Sequence, residues 1–569
     1  MRITILSLLI GIFLTSCTDL DMNPLSYGST ENWYSDQSEF EMAVNGLYKS
    51  DLWVNGDYFG GYPFFDEWTD DYTRRNETWP VTNATINGQW PVLEVCWTYR
   101  YRAIAQANTI VASLDKAKDH IDQSLIEKYE AHARFVRAAQ YSWLISYFGD
   151  VIFSTTVMDL DESFTMAKTP KADILKSIYG DFDYAVAHLP ESYGSSEFKW
   201  ATKGAALAFK ARIALYNQDW KTAGDAAKAC MDLGRYELYD DFGKLFLSKT
   251  KNTKEGVFVI PRSLQLGSAS IDCIDVISRN ASGRGWLTPS WELFCSFLCT
   301  DGLPIDESPR FNPREPFKNR DPRCTATIVE FQTPFLGYMY QPHPDSVTCY
   351  NFNSGKYQKN NDSRTINAYS SFNGLLWKKG VDEDWSDNQQ ADPDNLLMRY
   401  ADVLLMYAEA KIELGEIDES VLRAINQVRA RAYQSDVAET SSYPAVTTTD
   451  KNQLRQTVRI ERRMEFAFEE LRYMDLIRWK LAEKALNKNV YGMLDVADLR
   501  TKVVEPGLWF FPEIPEIDED GVADFSGMYS KGLIKLLAER KFDASKQYVW
   551  PIPTKEILIN PNLRQNTGY

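Results

Sequence analysis

Histidine is scarce, at four residues in a chain of 569, so metal centres and acid–base machinery built on imidazole have little to draw on. Hydrolase and nucleotide signatures are missing as well: there is no Gly-x-Ser-x-Gly, no His-Glu-x-x-His and no Gly-x4-Gly-Lys-Ser/Thr. Gly283-Arg284-Gly285 is only a fragment of a nucleotide loop, and Ser113-Leu114-Asp115-Lys116 matches Ser-x-x-Lys without its companion motifs. Positive charge is short: 62 Lys plus Arg face 79 Asp plus Glu, a formal charge of −17. Such a field repels nucleic acid and, on average, uronate-rich or sulfated polymers, although local Arg and Lys can override it. No run reaches the roughly 20 apolar residues that span a bilayer. The eight cysteines are scattered and show no disulfide framework. Cys295 and Cys299 fall one helical turn apart, but zinc needs two further ligands, so buried free thiols are the simpler reading.

What is present is apolar bulk: 44% hydrophobic residues, with 16 Trp, 31 Tyr and 29 Phe to divide between core and binding surface. Arg2 precedes an apolar run from Ile3 to Leu14, the proportions of a signal-peptide core. Leu14-Thr15-Ser16-Cys17 then resembles a bacterial lipobox, in which the Cys17 thiol takes up lipid; a secretory leader with an incidental Cys is the alternative. Residues 1–16 are accordingly expected to be removed, 17–30 to form a lipidated tether, and 31–569 to form one body.

Apolar residues recur at spacings of three and four over 96–116 and 122–148, predicting amphipathic helices. Residues 203–232 predict two helices around Asn217-Gln218-Asp219, with small facing residues Ala205, Ala208, Ala211 and Ala214, then Ala223, Ala226, Ala227 and Ala229. Residues 399–432 repeat that form around Gly415. These units, mainly in 96–232 and 399–480, suggest diverged tetratricopeptide-like repeats, with coincidental hairpins as the alternative. Between them, about 235–395 is loop-rich, with short β-like runs such as Val257–Ile260 and dense aromatics. The expected fold is therefore mainly α with a loop-rich, short-stranded insertion facing ligand.

Several segments together resemble the SusD/RagB family, the surface glycan-binding lipoproteins of Bacteroidetes. They are Trp97-x3-Tyr101-x2-Ile104-x3-Asn108; Ala133-Arg134-Phe135 leading to Tyr147-Phe148-Gly149-Asp150; Thr288-Pro289-Ser290 followed by Asn319-Arg320-Asp321-Pro322-Arg323; Met398-Arg399-Tyr400-Ala401-Asp402; Ile460-Glu461-Arg462-Arg463; and Trp550-Pro551-Ile552-Pro553 through Tyr569. Ile152 and Thr567 stand where the family usually has Pro. The resemblance implies a SusD-like α-helical fold and a non-catalytic binder at the outer-membrane surface. It also implies delivery of glycan to a SusC-like TonB-dependent transporter.

Glu461, Glu465 and Glu469 share a helical face beside Arg462 and Arg463, a pattern that reads as a salt-bridged interface before it reads as a glycosidase pair. Sugar recognition needs aromatic faces plus polar groups for hydroxyls. Two regions offer both, residues 66–90 and the aromatic-rich loops around Trp286 and 331–385, and the resemblance places ligand-contacting aromatics in the loop before the Trp97 helix. The expected contacts are Trp68, Asp70, Arg74, Asn76, Trp79 and Trp286, followed by Tyr338, Tyr340 and Trp377. No cofactor is expected; a calcium ion among the acidic loops is compatible but cannot be placed. A surface glycoside hydrolase and a peptide-binding helical-repeat adaptor are the competing functions.

Overall fold

In the computed structural model of the chain, residues 33–53, 64–194, 200–267 and 271–569 are described. The expected leader, Cys17 and tether lie outside the described residues. The principal helices are α1 (Gln37–Leu47), α2 (Pro91–Ser113), α3 (Gln123–Phe148), α4 (Lys171–His188), α5 (Lys203–Tyr216), α6 (Trp220–Asp232), α7 (Trp291–Ser296), α8 (Tyr400–Leu414), α9 (Glu419–Ala432) and α10 (Lys451–Glu465). Local chemistry sets their ends. The Thr202 hydroxyl caps α5, the Asp219 carboxylate caps α6 and the Asp450 carboxylate caps α10, each accepting a free first-turn N–H. Gly415 stops α8 in the left-handed region, at φ +75°.

The helices stack in series: α2 on α3, α3 on α4, α4 on α5, α5 on α6 and α8 on α9. The two predicted hairpins, far apart in sequence, join where α6 meets α8. Small residues permit that approach, since a Cβ on Gly224 would sit 3.6 Å from the Ala410 methyl. Among the described residues no helix is long and apolar enough to cross a membrane. Seven free cysteines, Cys295 and Cys299 included, are all buried.

Short strands are β1 (Tyr72–Arg74), which precedes α2, and, mostly in the intervening region, β2 (Gly256–Ile260), β3 (Leu287–Pro289), β4 (Thr333–Phe335), β5 (Tyr338–Tyr340), β6 (Thr348–Asn351), β7 (Lys356–Lys359) and β8 (Asn395–Arg399). Antiparallel pairing joins β1 to β3, with Arg74 opposite Leu287, and β2 to β8; β4 to β7 form one meander. One hydrophobic core fills the helical stack and a second fills the loop-rich half. Helix α10 serves both, with Leu454 and Val458 in the first and Met464 in the second. The C-terminal Trp550 is pinned into the helical core, where its indole N–H donates to the Tyr473 hydroxyl at 2.8 Å.

Charge joins the two halves. Glu465 is fully buried and accepts from Arg399 at 2.6 Å, from Arg323 at 3.0 Å and from Arg431. Glu461 meets Arg429 at 2.8 Å and Arg323 at 2.7 Å, and Glu469 meets Arg399 at 2.6 Å. The three glutamates are thus a salt-bridged interface. Each carboxylate is held among guanidinium groups, an arrangement unlike an open pair flanking a sugar.

Four expected ligand contacts move into the interior. Trp68 is 1% exposed, its ring 5.3 Å from those of both Trp90 and Trp550. Asp70 is buried between Arg463 and Arg472, both at 2.8 Å. Tyr340 is buried with its hydroxyl donating to the Gly374 carbonyl, and Trp377 is buried with its N–H donating to the Lys379 carbonyl. Long-range partners hold Asp70 and the Tyr340 hydroxyl, the Trp377 N–H is taken up two residues on, and neighbouring rings cover Trp68 and Trp377, so little of these groups is left to meet a sugar.

Removing a single partner from this network strands buried charge: Glu465→Ala costs about 3–5 kcal/mol of unfolding free energy in a denaturant titration. Trp68→Ala costs a similar amount, about 3–5 kcal/mol, through the cavity it leaves. Asp402 sets an acid limit. Burial raises its pKa, but Arg462 and then Arg212 hold it down at about 2. An unfolded aspartate titrates near about 3.9, so its stabilisation is complete above that pH and disappears as pH falls through about 2. Stability measured from about pH 5 to 2 therefore falls less steeply in Asp402→Asn than in the parent.

Candidate functional site

β1 runs out of the buried Asp70–Asp71 anchor and ends at Arg74, and Arg75 then turns in the left-handed region at φ +50°. Such a conformation is uncommon for a residue with a side chain. Two consecutive arginines are thereby delivered to one patch. Across the strand pair, β3 begins at Leu287, which sets Trp286 beside the end of β1. The Arg74 guanidinium lies 3.8 Å from the Trp286 ring centre and 4.8 Å from that of Trp79, a cation–π stack of three planar groups.

Each member of the stack is fixed from behind. The Trp79 N–H donates to Glu67 at 2.7 Å, and Arg74 reaches Glu77 at 3.3 Å and Glu67 at 4.0 Å. Burial pushes the Glu67 carboxyl up to about 7, against the pull of Arg74 and of the Trp79 bond. The Trp286 main-chain N–H donates to the Asp275 carbonyl at 2.8 Å.

The patch continues into the loop-rich half. Arg75 sits 5.5 Å from the ring of Tyr369, which is 63% exposed, and 5.9 Å from that of half-buried Phe372. Arg75 donates to the carbonyls of Tyr369 at 3.0 Å and Arg284 at 3.2 Å. Arg279 donates to the same Tyr369 carbonyl, at 3.2 Å. Arg364 lies 4.7 Å from Phe372 and pairs with Asp495.

Of the expected contacts, Arg74, Trp79 and Trp286 touch one another, and Asn76 is exposed on the same turn. Tyr338 stands apart, half-buried on the β5 strand and packed against the second core. Sequence reasoning did not single out Arg75 or Arg279, and placed Tyr369 and Phe372 only within the aromatic-rich loops of 331–385. The Arg74-Arg75 doublet was its one local signal; the others converge only through tertiary contacts.

Trp377 instead lines a cavity of about 240 Å3 between the helical stack and the loop-rich half, with Trp143, Arg212, Lys379, Asp394 and Glu469. That is below the roughly 300–1,000 Å3 of small-molecule pockets. Its charges are also committed: Lys379 to Glu469 at 2.5 Å, Arg212 to Asp402 at 2.7 Å and Asp394 to Lys251 at 2.8 Å. Among the described residues no group of three His, Cys, Asp or Glu side chains is arranged to hold a metal ion.

Comparison with known proteins agrees with this architecture. A family model described as "SusD family" matches residues 265–569, more than half of the chain, and one described as "Starch-binding associating with outer membrane" matches 42–215. The chain is 24% identical to SusD-like protein P2 of Formosa agariphila, over all of this chain and 99% of that one. A SusD-like carbohydrate binding protein from Bacteroides fragilis superposes with a TM-score of 0.77 at 28% identity, covering 93% of this chain and 99% of its own. A laminarin binding SusD-like protein superposes at 0.64 with 18% identity, a likeness of fold alone. With one model spanning its second half and similarity running from end to end, this chain belongs to the SusD family.

Proposed function

We propose that this protein binds an oligo- or polysaccharide on the patch formed by Trp79, Arg74, Trp286, Arg75 and Tyr369, without hydrolysing it. The observation that carries the reading is the exposed Tyr369 ring standing beside a fixed Trp286–Arg74–Trp79 stack. Pyranose rings present C–H faces to aromatic rings, and the guanidinium and Asn76 groups around them are donors for hydroxyls and ring oxygens. Prior fixing of the rings by Glu67 and by main-chain bonds lowers the entropy lost when sugar docks. The carbohydrate-binding relative in Bacteroides fragilis supports the ligand class.

The non-catalytic reading is supported by where the motif carboxylates and Glu67 lie. Glu461, Glu465 and Glu469 are locked to arginines inside the protein, and Glu67 is 7% exposed behind Trp79. The second half of the reading is capture at the outer membrane through lipid on Cys17, followed by transfer to a SusC-like TonB-dependent transporter. It is supported by the lipobox-like sequence and by the outer-membrane description of the matching family model.

A glycan array on the lipid-free protein identifies binders. For the best of them, Trp286→Ala and Tyr369→Ala each weaken binding by about tenfold or more, equivalent to 1.4 kcal/mol. The Tyr369→Ala melting temperature stays that of the parent. Unchanged affinity in both variants removes the patch from the account, and release of new reducing ends during incubation removes the non-catalytic assignment.

A further inference from the structure

Among the described residues, two guanidinium groups in the patch form a salt bridge with no carboxylate. Arg75 and Arg279 both point at one main-chain oxygen, that of Tyr369, at 3.0 Å and 3.2 Å. Neither lies within 4.0 Å of a carboxylate among the described residues. The surrounding acids are already taken: Glu77 by Arg74 at 3.3 Å, Asp275 by Arg284 at 3.0 Å and Asp495 by Arg364 at 3.2 Å. Asp362 is buried and accepts from the Arg279 main-chain N–H and the Asn280 amide, both at 2.7 Å. In addition, the Arg75 Nε–H is buried without a hydrogen-bond partner.

Two like charges around one neutral carbonyl are unfavourable in the free protein. Burial first, then the adjacent Arg279, pulls the Arg75 guanidinium below its ordinary pKa. Burial likewise lowers Arg279, with Asp362 opposing. Arg100, Arg314 and Arg320 also donate to carbonyl or amide oxygens, but Arg75 and Arg279 do so beside an exposed aromatic ring. An incoming anion would supply the missing charge and pair bidentately with the guanidinium planes.

Resting on the reading of this patch as a glycan-binding surface, we propose that its ligand is an acidic glycan. Arg75 and Arg279 hold a carboxylate or sulfate ester of a sugar whose ring lies against Tyr369 and Trp286. The net charge of −17 opposes such a ligand on average, and the local arginines override it. Fields from exposed charges fade over about 8 Å at physiological ionic strength, and the arginines meet the ligand well inside that distance.

The test is calorimetric titration of the lipid-free protein with three probes: oligogalacturonides, which carry only carboxylates; sulfated galactan oligosaccharides, which carry only sulfate esters; and neutral laminari-oligosaccharides. At least one acidic probe binds, and whichever binds identifies the acidic group. Its affinity falls by about tenfold as NaCl rises from about 50 to 500 mM, a measurement that needs no variant. Arg279→Gln and Arg75→Gln each weaken it by about fivefold or more, and Arg279→Lys restores part of the loss. Binding of only the neutral probe, or acidic binding indifferent to salt and to both substitutions, overturns this inference and leaves glycan binding standing. Failure of every probe and of every sugar on the array removes both.

Discussion

Three consecutive residues near the end of α10 hold the molecule together, because successive side chains on a helix point about 100° apart. Glu461 turns to Arg323 in the loop-rich half and Arg429 in the helical stack. Arg462 turns to Asp402 and Asp475, and Arg463 to Asp70 and Asp71. One short segment thus reaches the second core, the repeat helices and the root of the ligand-facing loop. Ion pairs this deep bring little net stabilisation over well-packed apolar side chains, since desolvating the charges offsets most of their attraction. Their consequence here is geometric: each arginine accepts only a partner at one distance and one angle, so the halves dock in a single register.

That register reaches the surface through β1. Asp70 and Asp71 are clamped by Arg463 and Arg472, and Ser290 donates to the Asp70 carbonyl, so β1 starts and β3 ends at fixed points. Two residues beyond the buried Tyr72 the chain delivers Arg74 between two indoles, and one residue later Arg75 toward Tyr369. The proposed binding surface is therefore a tip held on a buried ionic base. Glu461, Glu465 and Glu469 belong to the base.

Much of the helical half was legible in sequence because period and caps are local. The boundaries at Phe148 and Gly415 and the turn at 217–219 follow from residues within a few positions. The family motifs fit for a different reason: Arg323, Arg399 and Arg462–Arg463 are members of the buried network, so their spacing preserves docking. The site was only partly legible. Trp68 and Trp79 look alike in a stretch without periodicity, yet Trp68 is covered by Trp550, some 480 positions away, and Trp79 is not. Arg75 and Arg279 become a pair only through the carbonyl of Tyr369, a relation that no local pattern encodes.

Hydrogen–deuterium exchange on the lipid-free protein, with and without a saturating glycan from the array, tests the central claim most directly. Slowed exchange confined to residues 74–79, 279–287 and 364–373 is the result expected if sugar sits on the aromatic–arginine patch. Protection instead at Trp143, Arg212 and Lys379 around the interior cavity, with the patch unchanged, would contradict it.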